Sequence, residues 1–132
     1  MDIDGNDYWI LKEIYSLVKP EIIVTEYNAS FLKASITVPY DENFVRHDFH
    51  ESGFYHGASI TAFYNLLKDN YSLVENIRGL NLIFIRNDKL TEDIKPMTVD
   101  EKYKEHILRN KLSGKKARDQ WEIIQHLPYT NV

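Results

Sequence analysis

Residues 53–69 read "GFYHGASITAFYNLLKD", a glycine-led and almost wholly apolar run, and how it folds decides how the rest of the chain is arranged. Plotted at about 100° per residue, Phe54 to Asp69 carries apolar side chains over most of the helix circumference. Such a helix is expected to be buried on nearly every side. Its small or polar groups Gly57, Thr61 and Asn65 fall four residues apart and stack on one face. An unsatisfied buried amide costs about 1–3 kcal/mol, so Asn65 either satisfies a neighbouring backbone or marks a site cut into the core.

Upstream, "HDFHESGFYHG" places His47, His50 and His56 beside Asp48 and Glu51. A metal reading takes His47, His50, Glu51 and His56 as ligands. The glycines and aromatics around them indicate a loop, and no His-Glu-x-x-His pattern is present, so no metal and no cofactor are expected. An acid/base reading pairs His47 or His50 with Asp48 or Glu51, because an imidazole near its ordinary pKa beside a carboxylate can move protons. The plainer reading is a solvated loop anchored by Phe49, Phe54 and Tyr55. Ser59 and Thr61 lie outside any Gly-x-Ser-x-Gly elbow and read as ordinary helix hydroxyls.

Further outward, "DYWILKEIYSLVK" predicts an amphipathic helix from a capping Asp7 to Pro20, with Trp9, Ile10, Ile14, Leu17 and Val18 at helical spacing. Two β-branched runs, Ile22 to Tyr27 and Phe31 to Val38, flank Asn28-Ala29-Ser30 and predict a hairpin. Leu80 to Ile85 alternates as a strand, and Lys102 to Leu112 and Asp119 to Leu127 predict two more strands around "SGKKAR". The cations Arg109, Lys111, Lys115, Lys116 and Arg118 read as a solvated turn, with phosphate contact as the alternative.

This order of elements predicts an α+β protein, one domain over residues 1–132, with an antiparallel sheet of about five strands wrapped around a central buried helix. The 132 residues suffice for one core. A net charge of -4 gives no bulk reason to expect a nucleic-acid partner. The absence of cysteine excludes disulfides and thiolate chemistry. Aspartates in "MDIDGNDYW", and no apolar run of membrane-spanning length, lead us to expect a cytoplasmic chain without a membrane span.

The segment "YDENFVRHDFHESGFYHGASITAFYNLL" resembles the loop and central helix of hotdog-fold acyl-thioester enzymes. Against the 3-hydroxyacyl thioester dehydratases, Glu42, Phe44, Phe49 and Gly57 match. Asp48 and Ala62 stand where that family has its catalytic histidine and acid, which argues against dehydration. The chain is also similar to FcoT-type long-chain acyl-CoA thioesterases over roughly Pro20 to Trp121: "FVR" at 44–46, "GFYHGASITAFYNLL", and "IR" followed by "KP" at 95–96. Asn65 falls on that family's helix asparagine, whereas Phe44 and Glu21 replace two of its tyrosines.

The resemblance implies a homodimer or larger homo-oligomer that hydrolyses a fatty acyl thioester on coenzyme A or an acyl-carrier protein. Asn65 would position the attacking water, and His56 or Glu51 would activate it. Backbone N–H groups around Gly57, at the helix start, would stabilise the oxyanion. Phe44, Phe54, Gly57, Ala58, Thr61 and Ala62 would line the substrate site. A catalytically idle acyl-binding or assembly domain is the alternative.

Overall fold

A computed structural model describes residues 1–132 and shows an α+β protein with six α-helices and two small antiparallel sheets. Helix α1 (Asp7–Val18) is closed by Lys19 in the left-handed conformation just before Pro20. Strand β1 (Ile22–Glu26) pairs with β4 (Asn81–Arg86), which pairs in turn with β3 (Tyr71–Ile77). Strand β2 (Ile36–Thr37) instead pairs with β5 (Thr130–Asn131). Short helices α2 (Arg46–Phe49) and α4 (Val99–Lys102) sit in the long connections, and α5 (Ile107–Ser113) and α6 (Ala117–Ile124) follow.

The inner face of the three-stranded sheet, with Ile23, Leu73, Leu82 and Phe84, packs on α3 (Ile60–Leu67) and on Tyr8 and Leu11 of α1. Ile60, Phe63 and Leu67 are fully buried, each worth roughly 1.5–3 kcal/mol of burial. A second cluster of Phe31, Ile36, Val38, Phe54, Tyr55 and Ile124 joins the β2–β5 pair to α6.

The central helix is shorter than expected, covering Ile60–Leu67 rather than Phe54 to Asp69. Ser59 caps it by accepting from Ala62 N, and residues before the cap find other partners. Gly57 has φ +61, its carbonyl accepts from Val38 N at 3.0 Å, and Asn28 Nδ2 donates to the Phe54 and His56 carbonyls at 2.6 and 2.8 Å. Gly57 therefore lies outside the helix start, and its backbone is engaged by the β2 side.

The expected five-stranded wrap and its first hairpin are also corrected. The strands divide three and two, and β1 and β2 belong to different sheets, because Asn28 turns the chain into a 3₁₀ turn at Ala29–Phe31 by accepting from Ser30 N. An arrangement of this kind is α+β but is not the hotdog pattern of one sheet around a long helix. The segments Lys102 to Leu112 and Asp119 to Leu127 hold helices. Gly114, φ +68, ends α5, and α6 buries Ala117, Gln120 and Ile124 at helical spacing. Helix α1 has the expected extent, yet buries Tyr8 and Leu11 while Leu17 and Val18 stay 81% and 70% exposed. No helix is long and apolar enough to cross a membrane.

Candidate active site

The end of β1, the segment preceding α1, the turn before α3 and the buried face of α5 meet at one group of polar side chains. Asp7 organises the first of these. Its carboxylate accepts from Ile3 N and Gly5 N at 2.9 and 3.1 Å, and this folds residues 1–6 back so that Glu26 N donates to Met1 O. Gly5 packs on the Phe44 ring so closely that a Cβ would strike it. Asp2 and Asp4 are thereby brought beside Glu26.

Glu26 is only 8% exposed and accepts no hydrogen bond from an N–H of the chain. Burial, and then the neighbouring Asp2 carboxyl, push its pKa up to about 8. The nearest cation is Arg109, with Nη2 3.9 Å from Glu26 Oε1. That is too long for a hydrogen bond.

Arg109 is 9% exposed and sits on the inner side of α5. Nη1 donates to Asn28 Oδ1 at 2.8 Å and to Ser30 Oγ at 3.2 Å, and Nη2 donates to His56 Nε2 at 3.0 Å. Three of its five N–H donors are used, so the Nε and second Nη2 protons are left for a ligand. Ser30 Oγ in turn donates to Gln120 Oε1 at 2.6 Å, and Gln120 Nε2 donates to Asn110 Oδ1 at 2.8 Å. Burial and the nearby Arg46 lower the Arg109 pKa to about 10, which leaves it a cation at neutral pH.

His56 is 2% exposed and accepts from Arg109 at Nε2. Burial, then the Arg109 charge, hold its pKa well below the ordinary value. It is neutral there and acts as an acceptor, with its proton on Nδ1. Arg46 closes the outer rim: Nε donates to Gly53 O at 2.7 Å and Nη1 pairs with Asp4 Oδ1 at 3.0 Å. Beside these groups opens a cavity of about 460 Å³, with Glu26, Arg46, His47, Arg109 and His106 as polar walls and Phe54, Leu108 and Leu112 as apolar ones.

Asp4, Glu26 and His56 hold ligand atoms within 4.8 Å of one another, the spacing of a metal cluster. Their partners fit a cation poorly. Arg109 already occupies His56 Nε2 and Arg46 already neutralises Asp4, so a dication would meet two guanidinium groups. The donor set matches a carboxylate–guanidinium site better than a metal centre.

Of the residues singled out in the sequence, His47, Phe54 and Arg109 line this cavity, and His56 lies behind it on Arg109. Asn65 is exposed on α3, donating to Ser35 Oγ at 2.9 Å and accepting from Lys68 Nζ at 3.2 Å. Glu51 is exposed, and His50 pairs with Ser52. Phe44 stacks on Phe49 at 4.6 Å. Ala58 and Ala62 are fully buried in the main core, Thr61 Oγ1 donates to Lys33 O, and none of the four cavities is lined by Gly57, Ala58, Thr61, Ala62 or Asn65.

Glu26 and Asp4 carried no pattern in the sequence and Arg46 entered only as the end of "FVR", because the three converge from separate elements. Arg109 reads in the sequence as one of several solvated cations, and the period of α5 does not set it apart, because Ile107, Leu108 and Leu112 are exposed and Arg109 alone is buried. No protein-family model, curated protein or solved structure matches the chain.

Proposed function

We propose that the protein is an acyl-thioester hydrolase whose chemistry takes place in the cavity lined by Glu26 and Arg109, with His56 behind Arg109. The observation that carries this reading is Glu26 itself: a buried carboxyl, pKa about 8, facing a cavity beside a buried guanidinium. Strongly shifted acids in clefts are where proton transfer is arranged. The thioester substrate, on coenzyme A or a carrier protein, rests on the sequence resemblance.

In the proposed reaction a water is deprotonated by the Glu26 carboxylate and attacks the thioester carbonyl carbon. The carbonyl oxygen becomes an oxyanion held by the free Nε and Nη2 protons of Arg109. As the intermediate collapses the C–S bond breaks, and Glu26 returns the proton to the leaving thiolate. His56 holds Arg109 in place. Phe54, Leu108 and Leu112 receive the acyl group, so the site rests on Glu26 and Arg109 rather than on Asn65 or Glu51.

A homodimer is part of the proposal. Leu17, Val18, Ile22 and Val24 follow one another along α1 and β1, each at least 45% exposed, and a second copy would cover them.

The test is thiol release from short, medium and long acyl-CoA substrates, against which a cysteine-free protein adds no background. Turnover should fall about 10²-fold or more in Glu26→Gln and rise with pH through about 8 in the parent protein. Turnover unchanged in Glu26→Gln would refute the assignment. Acyl-CoA bound intact by a folded protein would favour the acyl-binding alternative.

A further inference from the structure

A second groove, about 370 Å³, shares His106 and Leu108 with the reactive cavity and runs from it to the β3–β4 turn. Its apolar floor is Leu80, Ile107 and Leu108, and its rims carry Arg78 and Lys111. Neither cation makes an ion pair within the chain, although seven other pairings tie up lysines and arginines elsewhere.

Arg78 is also in an unusual conformation. Leu80 N donates to Ile77 O at 3.0 Å, closing a turn whose central residues Arg78 and Gly79 have φ +56 and +71. That is the pattern of a type I′ turn, in which asparagine, aspartate or glycine serve best at the first central position. Gly79 is required, since a Cβ there would strike the Glu105 carbonyl. Nothing in the fold requires arginine at 78, and a side chain held at a conformational cost points to a task for its charge.

We propose that this groove is a phosphate subsite, in which Arg78 and Lys111 hold the phosphate of an acyl-carrying pantetheine arm. The arm crosses Leu80, Ile107 and Leu108 and delivers its thioester to the adjoining cavity. This rests on the hydrolase reading for the identity of the arm. The phosphate is either that of free coenzyme A or the phosphodiester of a carrier-bound arm, two sources with the same chemistry.

Calorimetry with coenzyme A, 4′-phosphopantetheine and pantetheine separates the possibilities, since none requires turnover. Both phosphorylated ligands should bind about tenfold or more tightly than pantetheine, and Arg78→Asn or Lys111→Ala should remove most of that advantage. Arg78→Asn suits the turn better than the parent residue, so it should melt no lower, and its lost affinity would not be misfolding.

Coenzyme A binding more tightly than 4′-phosphopantetheine would support the subsite with the free cofactor as source; equal binding would support it with a carrier-bound arm. Equal binding of all three ligands, no binding at all, or binding indifferent to both variants would overturn the subsite. Phosphate-dependent binding that persists in Glu26→Gln, without hydrolysis in the parent protein, would leave the subsite standing and remove the hydrolase reading alone.

Discussion

Glu26 and His56 sit in one buried group and pull stability in opposite directions with pH. Burial lifts the folded-state pKa of Glu26 from 4.5 to about 8, so between those values the folded protein keeps a proton that the unfolded chain has released. Its contribution is complete below pH 4.5 and is lost as pH rises towards 8. His56 is held well below 6.5, so its contribution is present above 6.5 and is lost as pH falls. From about pH 6.5 upward Glu26 therefore acts alone of the two. Urea melts should show the parent protein losing stability, on the order of 1 kcal/mol, between about pH 6.5 and 8.5, while Glu26→Gln stays flatter. Equal slopes would mean that Glu26 is ionised in the folded protein. His56 could be singled out in the sequence because it lies in a histidine-rich loop, but its partners could not, since Arg109 stands 53 residues away.

At the scale of elements, α1, β1 and the strand at 81–86 were legible because each has a clear period and a stop: Pro20 after α1, and the alternation of Leu82 and Phe84 against Ile83 and Ile85 in β4. The apolar run 54–69 misled on length. Periodicity cannot show that residues before Ser59 bond to Asn28 and Val38, and the cap alone marks where the helix begins. Ser59→Ala should accordingly lower stability by about 1 kcal/mol, read as a shift in urea midpoint with the m-value unchanged. No loss would mean that packing of Ile60 and Phe63 sets the boundary. The sequence predicts strands where α5 and α6 form, because short mixed segments satisfy either period. The glycine at 114 suits a hairpin turn and a helix end equally, and only its helical neighbours make it a C-cap.

Across the molecule, an α+β class was readable from element order, whereas the split into two sheets was not, since pairing is set by contacts such as β2 with β5 nearly a hundred residues apart. The candidate site has the same origin: it lies where the N-terminal segment, β1, the 53–59 turn and α5 converge. The uncovered apolar groups of α1 and β1 belong to this scale as well. Sedimentation of the parent protein should show a dimer, and Leu17→Glu with Val24→Lys should convert it to a monomer of the same helix content. A parent protein that sediments as a monomer at all accessible concentrations would remove the proposed assembly without touching the site.

The proposed chemistry depends on one buried carboxyl that changes protonation near pH 8, and carbon-13 NMR of the glutamate side-chain carboxyls reads this directly. A resonance that disappears in Glu26→Gln should titrate with a midpoint near pH 8. A midpoint in the ordinary glutamate range near 4.5 would contradict the proposed site, because Glu26 would then be ionised beside Arg109 throughout the neutral range and nothing would make turnover rise through pH 8.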